Sequence, residues 1–437
     1  MERYEFVVLA NRLPVDIHYD AAGNRVFSES PGGLVSAMRP ILAAQRGCWI
    51  GWPGVIDSTL DELRTADDIA MYPVALSSAE YEDYYEGFCN ATLWPLYHDR
   101  IVTPQFHRHW WDSYREVNLR FAQAAAQLAA PGAVVWVQDY QLQLVPGILR
   151  ELRPDVRIGF FLHIPFPAPE IFRQLPWREE IVRGLNGAHL LGFQLDSNAQ
   201  NYRDLTASHP QVGAYPISID LTSYGEPTHP EQVRAAAGKP KHLLLGVDRL
   251  DYTKGILQRL LAFEELLDEG ALDADETVFV QVATPSRERI EHYKQTRAQV
   301  EEAVGRINGR FGSLHHAVIQ YHHRPLEKSQ LRELYAAADV MVVTPLKDGM
   351  NLVAKEYVAS HGEGHGNLVL SEFAGAAQEL REAHVCNPFD IDSIKAALME
   401  AINNVNPAAM QTMHATVSSH PVQQWAAEFL RDLKAAQ

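Results

Sequence analysis

Short apolar runs, each cut off by a polar or turn-forming residue, recur along almost the whole chain and restrict its fold more than any other feature. Phe6–Ala10 breaks at Asn11-Arg12-Leu13-Pro14, Ala133–Val137 at Gln138-Asp139, Ile158–Leu162 at His163-Ile164-Pro165, and His189–Phe193 at Gln194. His242–Val247, Thr277–Val282, Ala317–Tyr321, Val340–Val343 and Leu368–Leu370 continue the series. Such runs read as strands buried on both faces, which is the habit of parallel sheets. Between them, Ser113–Leu128, Arg287–Ile307, Ser329–Ala338 and Asp392–Asn403 carry apolar residues at helical spacing. Alternation of this kind predicts an α/β protein with parallel sheets.

The segment Thr222–Lys241 is polar and holds Gly225, Pro227, Pro230, Gly238 and Pro240. It divides a β/α half over 1–220 from a second β/α half over 221–415. The remainder, 416–437, contains a helix-like stretch, Val422–Ala436, which could return to either half. Two Rossmann-like β/α/β domains facing a central cleft are therefore expected, with ligands bound beyond the carboxyl ends of the strands. That rule makes Asn11, Arg12, Asp139, His163, Asp248, Arg249, Thr284 and Thr344 the first candidates for a site.

Charge limits the partners. Of 437 residues, 38 are Lys or Arg and 55 are Asp or Glu, a net charge of −17, so a general nucleic-acid or anionic-membrane binder is excluded. Any anion must be held by a few local cations. No apolar stretch is long enough to span a bilayer. The start, Met1-Glu2-Arg3-Tyr4-Glu5-Phe6, has no secretory pattern, and the three cysteines, Cys48, Cys89 and Cys386, are odd in number and far apart. A reducing, cytoplasmic setting is expected. The sequon Asn90-Ala91-Thr92 is then a chance match.

Three constellations suit phosphate groups. Ser30-Pro31-Gly32-Gly33-Leu34 precedes a helix-compatible stretch, and paired glycines let backbone N–H groups approach a phosphate, although a Gly-Gly turn is also ordinary loop punctuation. Asp248-Arg249-Leu250-Asp251-Tyr252-Thr253-Lys254-Gly255 follows a buried strand directly, so Arg249 and Lys254 can converge on one diphosphate. Thr344-Pro345-Leu346-Lys347-Asp348-Gly349-Met350-Asn351-Leu352-Val353-Ala354-Lys355-Glu356 also follows a strand; a helix starting near Met350 would offer its N–H groups, and Glu356 could take ribose hydroxyls. Asp390-Ile391-Asp392 reads as a helix cap rather than a metal motif. His361-Gly362-Glu363-Gly364-His365 has ligand residue types, but no further ligand accompanies it. No metal site is expected, and neither a P-loop nor a G-x-S-x-G elbow is present.

Together these residues resemble the trehalose-6-phosphate synthases, retaining glucosyltransferases of the two-Rossmann GT-B architecture. The resemblance extends through Asn11-Arg12-Leu13-Pro14-Val15, Tyr84-Tyr85-Glu86-Gly87-Phe88, Asn90-Ala91-Thr92-Leu93-Trp94-Pro95, Trp136-Val137-Gln138-Asp139-Tyr140, Phe161-Leu162-His163-Ile164-Pro165 and Ser371-Glu372-Phe373-Ala374-Gly375. It implies transfer of glucose from UDP-glucose, or another nucleoside-diphosphate glucose, to glucose 6-phosphate, with no cofactor and no metal. On the donor it implies Arg249, Lys254 and Gly33 at the diphosphate. Gly349, Met350, Asn351, Leu352 and Val353 form the loop and helix start there, Glu356 holds the ribose, and His163 and Asp348 hold the transferred glucose. On the acceptor it implies Arg12, Tyr85 and Arg287 at the phosphate, with Trp94 and Asp139 at the sugar. His163, Arg249, Lys254 and Asp139 would carry the chemistry. Homo-oligomers are common in the family.

The family's reaction is held to proceed on one face of the sugar, the leaving phosphate oxygen taking the acceptor proton. A double displacement would need a carboxylate nucleophile, for which Asp139 is the candidate in the first half. The alternatives are a relative with another acceptor, a pseudo-glycosyltransferase, or a catalytically silent sugar-phosphate sensor. One departure stands out: only 20 residues separate Gln194 from Tyr215, where family members carry a longer segment. It bears on packing at the edge of the first half and on oligomer contacts.

Overall fold

The computed structural model describes residues 2–19, 25–29, 33–57, 63–64, 69–206, 209–224 and 228–436. Its chain divides into two compact units, Met1–Asp220 together with Val422–Gln437, and Leu221–Pro421.

In the first unit the strands are β1 (Tyr4–Arg12), β2 (Val15–Tyr19), β3 (Arg25–Glu29), β4 (Cys48–Trp52), β5 (Leu63–Arg64), β6 (Ala70–Pro73), β7 (Ala129–Gln138), β8 (Arg157–Phe161), β9 (Leu190–Phe193) and β10 (Gln211–Ala214). Eight of them form one sheet in the order β10-β9-β8-β7-β1-β4-β6-β5, and β2 and β3 pair as a separate antiparallel ribbon. Every pairing in the large sheet is parallel except β5 with β6. Its central strands are buried on both faces, as their uninterrupted Val, Ile, Leu and Phe content requires. The carboxyl ends of β1, β4, β7 and β8 therefore lie along one rim, and Arg12, Trp52, Gln138 and Phe161 are the residues that end there.

The second unit repeats the scheme with β11 (His242–Arg249), β12 (Thr277–Thr284), β13 (Ile319–His322), β14 (Val340–Val343), β15 (Asn367–Ser371) and β16 (His384–Cys386). Their order is β13-β12-β11-β14-β15-β16, all parallel. Leu244, Phe263, Phe279, Val340, Ile394 and Leu398 belong to one buried cluster between this sheet and its helices.

The helix Val422–Ala435 returns to the first unit. Trp136 of β7 lies 4.5 Å from Phe429 with the rings stacked, and Trp425 packs 5.3 Å from Trp136 and 5.1 Å from Phe161. Trp425 Nε1 donates to the Tyr215 carbonyl at 3.1 Å, and Tyr215 Oη donates to Asp432 at 3.0 Å. Buried aromatic side chains of this size contribute about 1.5–3 kcal/mol each. Sequence periodicity supplies the apolar face of this helix but not its partner.

Several elements differ from the sequence reading. The helix expected from Arg287 begins at Glu291 and continues to Phe311, while Arg287 itself sits in a left-handed backbone conformation, φ 49°, in the preceding turn. The helix expected near Met350 starts at Leu352, because Asn351 caps it by accepting the Ala354 N–H at 3.1 Å. Tyr81–Leu93 winds as a wide helix of i→i+5 bonds, ending with the Trp94 N–H on the Cys89 carbonyl. Asn90 of the chance sequon faces inward on that helix, 1% exposed, donating to the Tyr85 carbonyl and accepting from Tyr140 Oη. The short segment after Gln194 supplies the helix Asp196–Arg203 and the edge strand β10.

Candidate active site

In the second unit, the turn after β11 is organised by two fully buried side chains. Asp251 caps the single helical turn Tyr252–Lys254, its Oδ1 accepting the Thr253 N–H at 3.0 Å and the Thr253 hydroxyl at 2.9 Å. Its Oδ2 accepts from Tyr293 Oη at 3.1 Å and faces Arg287 Nη1 at 3.5 Å. Burial pushes the Asp251 carboxyl up, but the charges of Arg287, Arg249 and Lys254 and the Thr253 N–H outweigh it and hold the group below its ordinary range. Arg259 is the second organiser. It donates to Asp248 at 2.8 Å, Thr344 Oγ1 at 2.9 Å, the Val342 carbonyl at 2.8 Å and the Lys254 carbonyl at 2.7 Å. It thus fastens the ends of β11 and β14 to the turn that carries Lys254.

Gly255 comes next with φ +61°, and a Cβ there would collide with the Thr344 carbonyl oxygen. Only glycine lets the two loops touch so closely. The touching loops bring Lys254 Nζ to 2.6 Å from Asp348 Oδ2, both side chains largely buried. Asn351 Nδ2 donates to the same carboxylate oxygen at 3.1 Å. The Asp348 backbone is fixed by its N–H on the Phe373 carbonyl, 3.1 Å, and its carbonyl on the Gly375 N–H, 3.2 Å. Leu352 and Val353 open the helix Leu352–Ala359, where backbone N–H groups have no intrahelical acceptor. One turn on, Glu356 accepts from Tyr335 Oη at 2.8 Å, and burial raises its pKa despite the bonds from Tyr335 and Tyr224 and the charge of Lys328. Arg249 ends β11 with an exposed side chain. Arg249, Lys254, Asp348, Gly349, Met350, Asn351, Leu352, Val353 and Glu356 thus all lie on the loops and helix start at the carboxyl ends of β11 and β14.

In the first unit, Arg12 ends β1 with its guanidinium 5.0 Å from the centre of the Trp52 ring, a cation–π distance. Gly54, φ +84°, passes where a side chain would overlap that guanidinium. Tyr85 lies beside them, 6.2 Å from Trp52 and stacked on Tyr81 at 5.3 Å. Trp94 is buried, 4.3 Å from the His98 ring and 5.6 Å from Tyr140. Asp139 has φ 72° and ψ 172°, a conformation nearly reserved for glycine. It is kept there by its N–H on the Phe161 carbonyl, 2.7 Å, and by its Oδ1, which accepts the His163 N–H at 3.1 Å. His163 Nε2 lies 2.9 Å from Gln138 Oε1, so that nitrogen carries the hydrogen. Burial against Phe161 and Trp425 lowers the His163 pKa to about 3, leaving a neutral ring at ordinary pH.

The structure therefore gathers Arg12 with Tyr85, and Asp139 with His163, on the rim of the first sheet. Arg287, assigned above to the acceptor, is carried by the second unit and is tied to Asp251 and Tyr293. Gly33 begins the helix Gly33–Gln45, while Ser30, Pro31 and Gly32 lie outside the described residues. Asp390 does cap its helix, accepting the Asp392 N–H at 3.0 Å. His361 is committed to the Tyr357 carbonyl at 2.8 Å. Among the described residues, no three His, Cys, Asp or Glu side chains are grouped to hold a metal ion. Residues the sequence reading does not single out are Trp52, Gln138, Arg259, Tyr293 and Tyr335. Arg259 has a signal: a lone arginine on the buried face of the apolar stretch Ile256–Phe263.

The model of glycosyltransferase family 20 matches residues 4–435. A trehalose-6-phosphate synthase of Mycobacterium avium is 50% identical over an alignment 464 positions long, covering 98% of this chain and 94% of the relative. Among solved structures, an α,α-trehalose-phosphate synthase (UDP-forming) of Burkholderia xenovorans in complex with glucose 6-phosphate has a TM-score of 0.87 at 35% identity, covering 98% of this chain and 100% of that one. An E. coli structure bound with UDP-2-fluoro glucose has a TM-score of 0.88 at 34% identity, with 98% of each chain covered.

Proposed function

The chain belongs to glycosyltransferase family 20, and from that premise we propose that it transfers glucose, with retention, from UDP-glucose to glucose 6-phosphate, giving trehalose 6-phosphate and UDP. The observation that carries this reading is the Lys254–Asp348–Asn351 cluster on two touching loops, with Arg249 exposed at the end of β11 and Glu356 one helical turn on from the helix start.

In this reading Arg249 and Lys254 meet the diphosphate together with the backbone N–H groups of Leu352 and Val353 and, from the first unit, Gly33. Negative charge grows on the leaving phosphate as the glycosidic bond breaks, and fixed cations stabilise that growth. Asp348 receives hydroxyls of the transferred glucose once Lys254 turns to phosphate, and Glu356 receives those of the ribose. Arg12, Tyr85 and Arg287 take the acceptor phosphate, while Trp94 and Asp139 take its sugar. His163 is neutral and holds its Nε2 hydrogen on Gln138, so its role is to bond the glucose, not to shuttle protons. The Asp139 carboxylate is already anchored to the His163 N–H, which favours an orienting role over that of a nucleophile. The leaving phosphate oxygen then accepts the acceptor proton on the same face of the sugar.

We include no metal ion, because Arg249 and Lys254 supply the charge compensation, and no other cofactor. A cytoplasmic setting is supported by Cys48, Cys89 and Cys386, all buried as thiols and not as disulfides. A homo-oligomer belongs to the same reading, and light scattering of the purified chain tests it.

The decisive experiment incubates the purified chain with UDP-glucose and glucose 6-phosphate in the presence of EDTA and identifies the product by mass spectrometry and NMR. An α,α-linked trehalose 6-phosphate is expected; UDP binding without product would leave the sensor alternative standing. Arg12→Ala is expected to raise the KM for glucose 6-phosphate about 10- to 100-fold, the scale of a lost charge-assisted contact. Its KM for UDP-glucose should stay within about twofold. A shift in the donor constant alone would show that the two substrates had been assigned to the wrong residues.

A further inference from the structure

Asp251 is fully buried, and its two oxygens serve different neighbours. Oδ1 takes both bonds from Thr253, in the turn that ends at Lys254. Oδ2 takes Tyr293 Oη and faces Arg287, whose side chain is 5% exposed and whose Nη1 also donates to Tyr293 Oη, so the carboxylate holds the guanidinium both directly and through that hydroxyl. Arg287 is also held in a left-handed backbone conformation that non-glycine residues rarely adopt. The charges of Arg287, Arg249 and Lys254 act on this carboxylate, and Tyr293 is a titratable group in contact with it.

We infer that Asp251 is a positioning residue that fixes Arg287 through one oxygen and the Lys254 turn through the other, so that the acceptor-phosphate cation and the donor-diphosphate cations share one buried counter-ion. The inference rests on the roles given to Arg287, Arg249 and Lys254 in the proposed function. A buried ion pair is a poor source of net stability, because desolvation offsets the Coulomb attraction. It is an effective way to hold a flexible arginine in one direction. The same negative charge tempers the pull of Arg249 and Lys254 on a diphosphate, which predicts opposite effects on the two substrates when it is removed.

The test is Asp251→Asn in the full chain. Asparagine keeps an oxygen that can cap the Thr253 N–H, but it presents N–H groups, not an acceptor, to Arg287 and Tyr293. The KM for glucose 6-phosphate should rise about tenfold or more. The Kd for UDP, measured by calorimetry without acceptor, should stay the same or tighten. A purely structural role would weaken both together. Tyr293→Phe removes the hydroxyl that joins Arg287 to Asp251 and leaves the carboxylate and its bonds to Thr253 in place; it should raise the acceptor KM by a smaller factor with UDP affinity unchanged, and keeps the inference falsifiable if Asp251→Asn folds poorly. An acceptor KM within about twofold of the parent in both variants, or UDP binding that weakens in step with it, overturns the inference. A parent chain that forms no trehalose 6-phosphate overturns the proposed function and this assignment with it, and is told apart because the parent itself then fails.

Discussion

Arg249→Ala is expected to lower kcat/KM for UDP-glucose by about 100- to 1000-fold, equivalent to about 3–4 kcal/mol of transition-state stabilisation. The effect should be large and also clean. Arg249 ends β11 with an exposed side chain, and the buried Asp251 carboxylate that its charge helps to hold ionised keeps Arg287 and Lys254 as cations when Arg249 is removed. Lys254 differs, because its loss would take the counter-charge from the Asp348 carboxylate 2.6 Å away in a largely buried site. Most of the Arg249 loss should fall on kcat, since the diphosphate gains charge only as the bond to glucose breaks. UDP affinity, read by calorimetry, should weaken by a smaller factor. Parent-like kinetics would remove Arg249 from the reacting diphosphate and with it the donor half of the proposed site.

The second large effect is on stability. Gly255→Ala places a Cβ against the Thr344 carbonyl oxygen at a backbone angle of φ +61°. A backbone clash of this kind cannot be relieved by turning a side chain, so the loops after β11 and β14 must separate. A loss of about 2–4 kcal/mol is expected, combining the left-handed penalty with the displaced contact. Urea unfolding should show it, read by probes in each unit because a chain of two units need not unfold in one step. The transition of Leu221–Pro421 should move and that of the first unit should not. Donor binding should fall in parallel, since the same contact sets the distance between Lys254 and Asp348. An unchanged midpoint would mean that the loops tolerate separation.

Much of this arrangement is legible in the sequence for a simple reason. A strand buried on both faces must be apolar throughout, and a parallel strand must end at the rim where ligands bind. That is why Arg12, Asp139, His163 and Arg249 stand out as the polar residues at or just beyond the end of an apolar run. Strands that are short or partly exposed, such as Ala70–Pro73 and Gln211–Ala214, are not legible in this way, because their side chains carry no continuous apolar signal. The wide helix Tyr81–Leu93 has no sequence period of its own to announce it. Arg287 is misplaced for another reason. Its spacing puts it in a helix because the residues after it are helical, whereas Asp251 and Tyr293 hold it in a turn. Partners distant in sequence, such as Arg259 with Thr344 or Glu356 with Tyr335, become visible only when the loops meet.

The return of Val422–Ala435 to the first unit sets the order in which the protein can be completed during synthesis. The surface formed by Trp136, Phe161 and Tyr215 is made early and finds its cover only when Trp425 and Phe429 have emerged from the ribosome. Leu221–Pro421 is a compact unit without the helix behind it and can fold first. The half of the polypeptide translated first is therefore the half finished last, and for about half of translation it presents bare aromatic surface to its surroundings, a window for aggregation or chaperone capture.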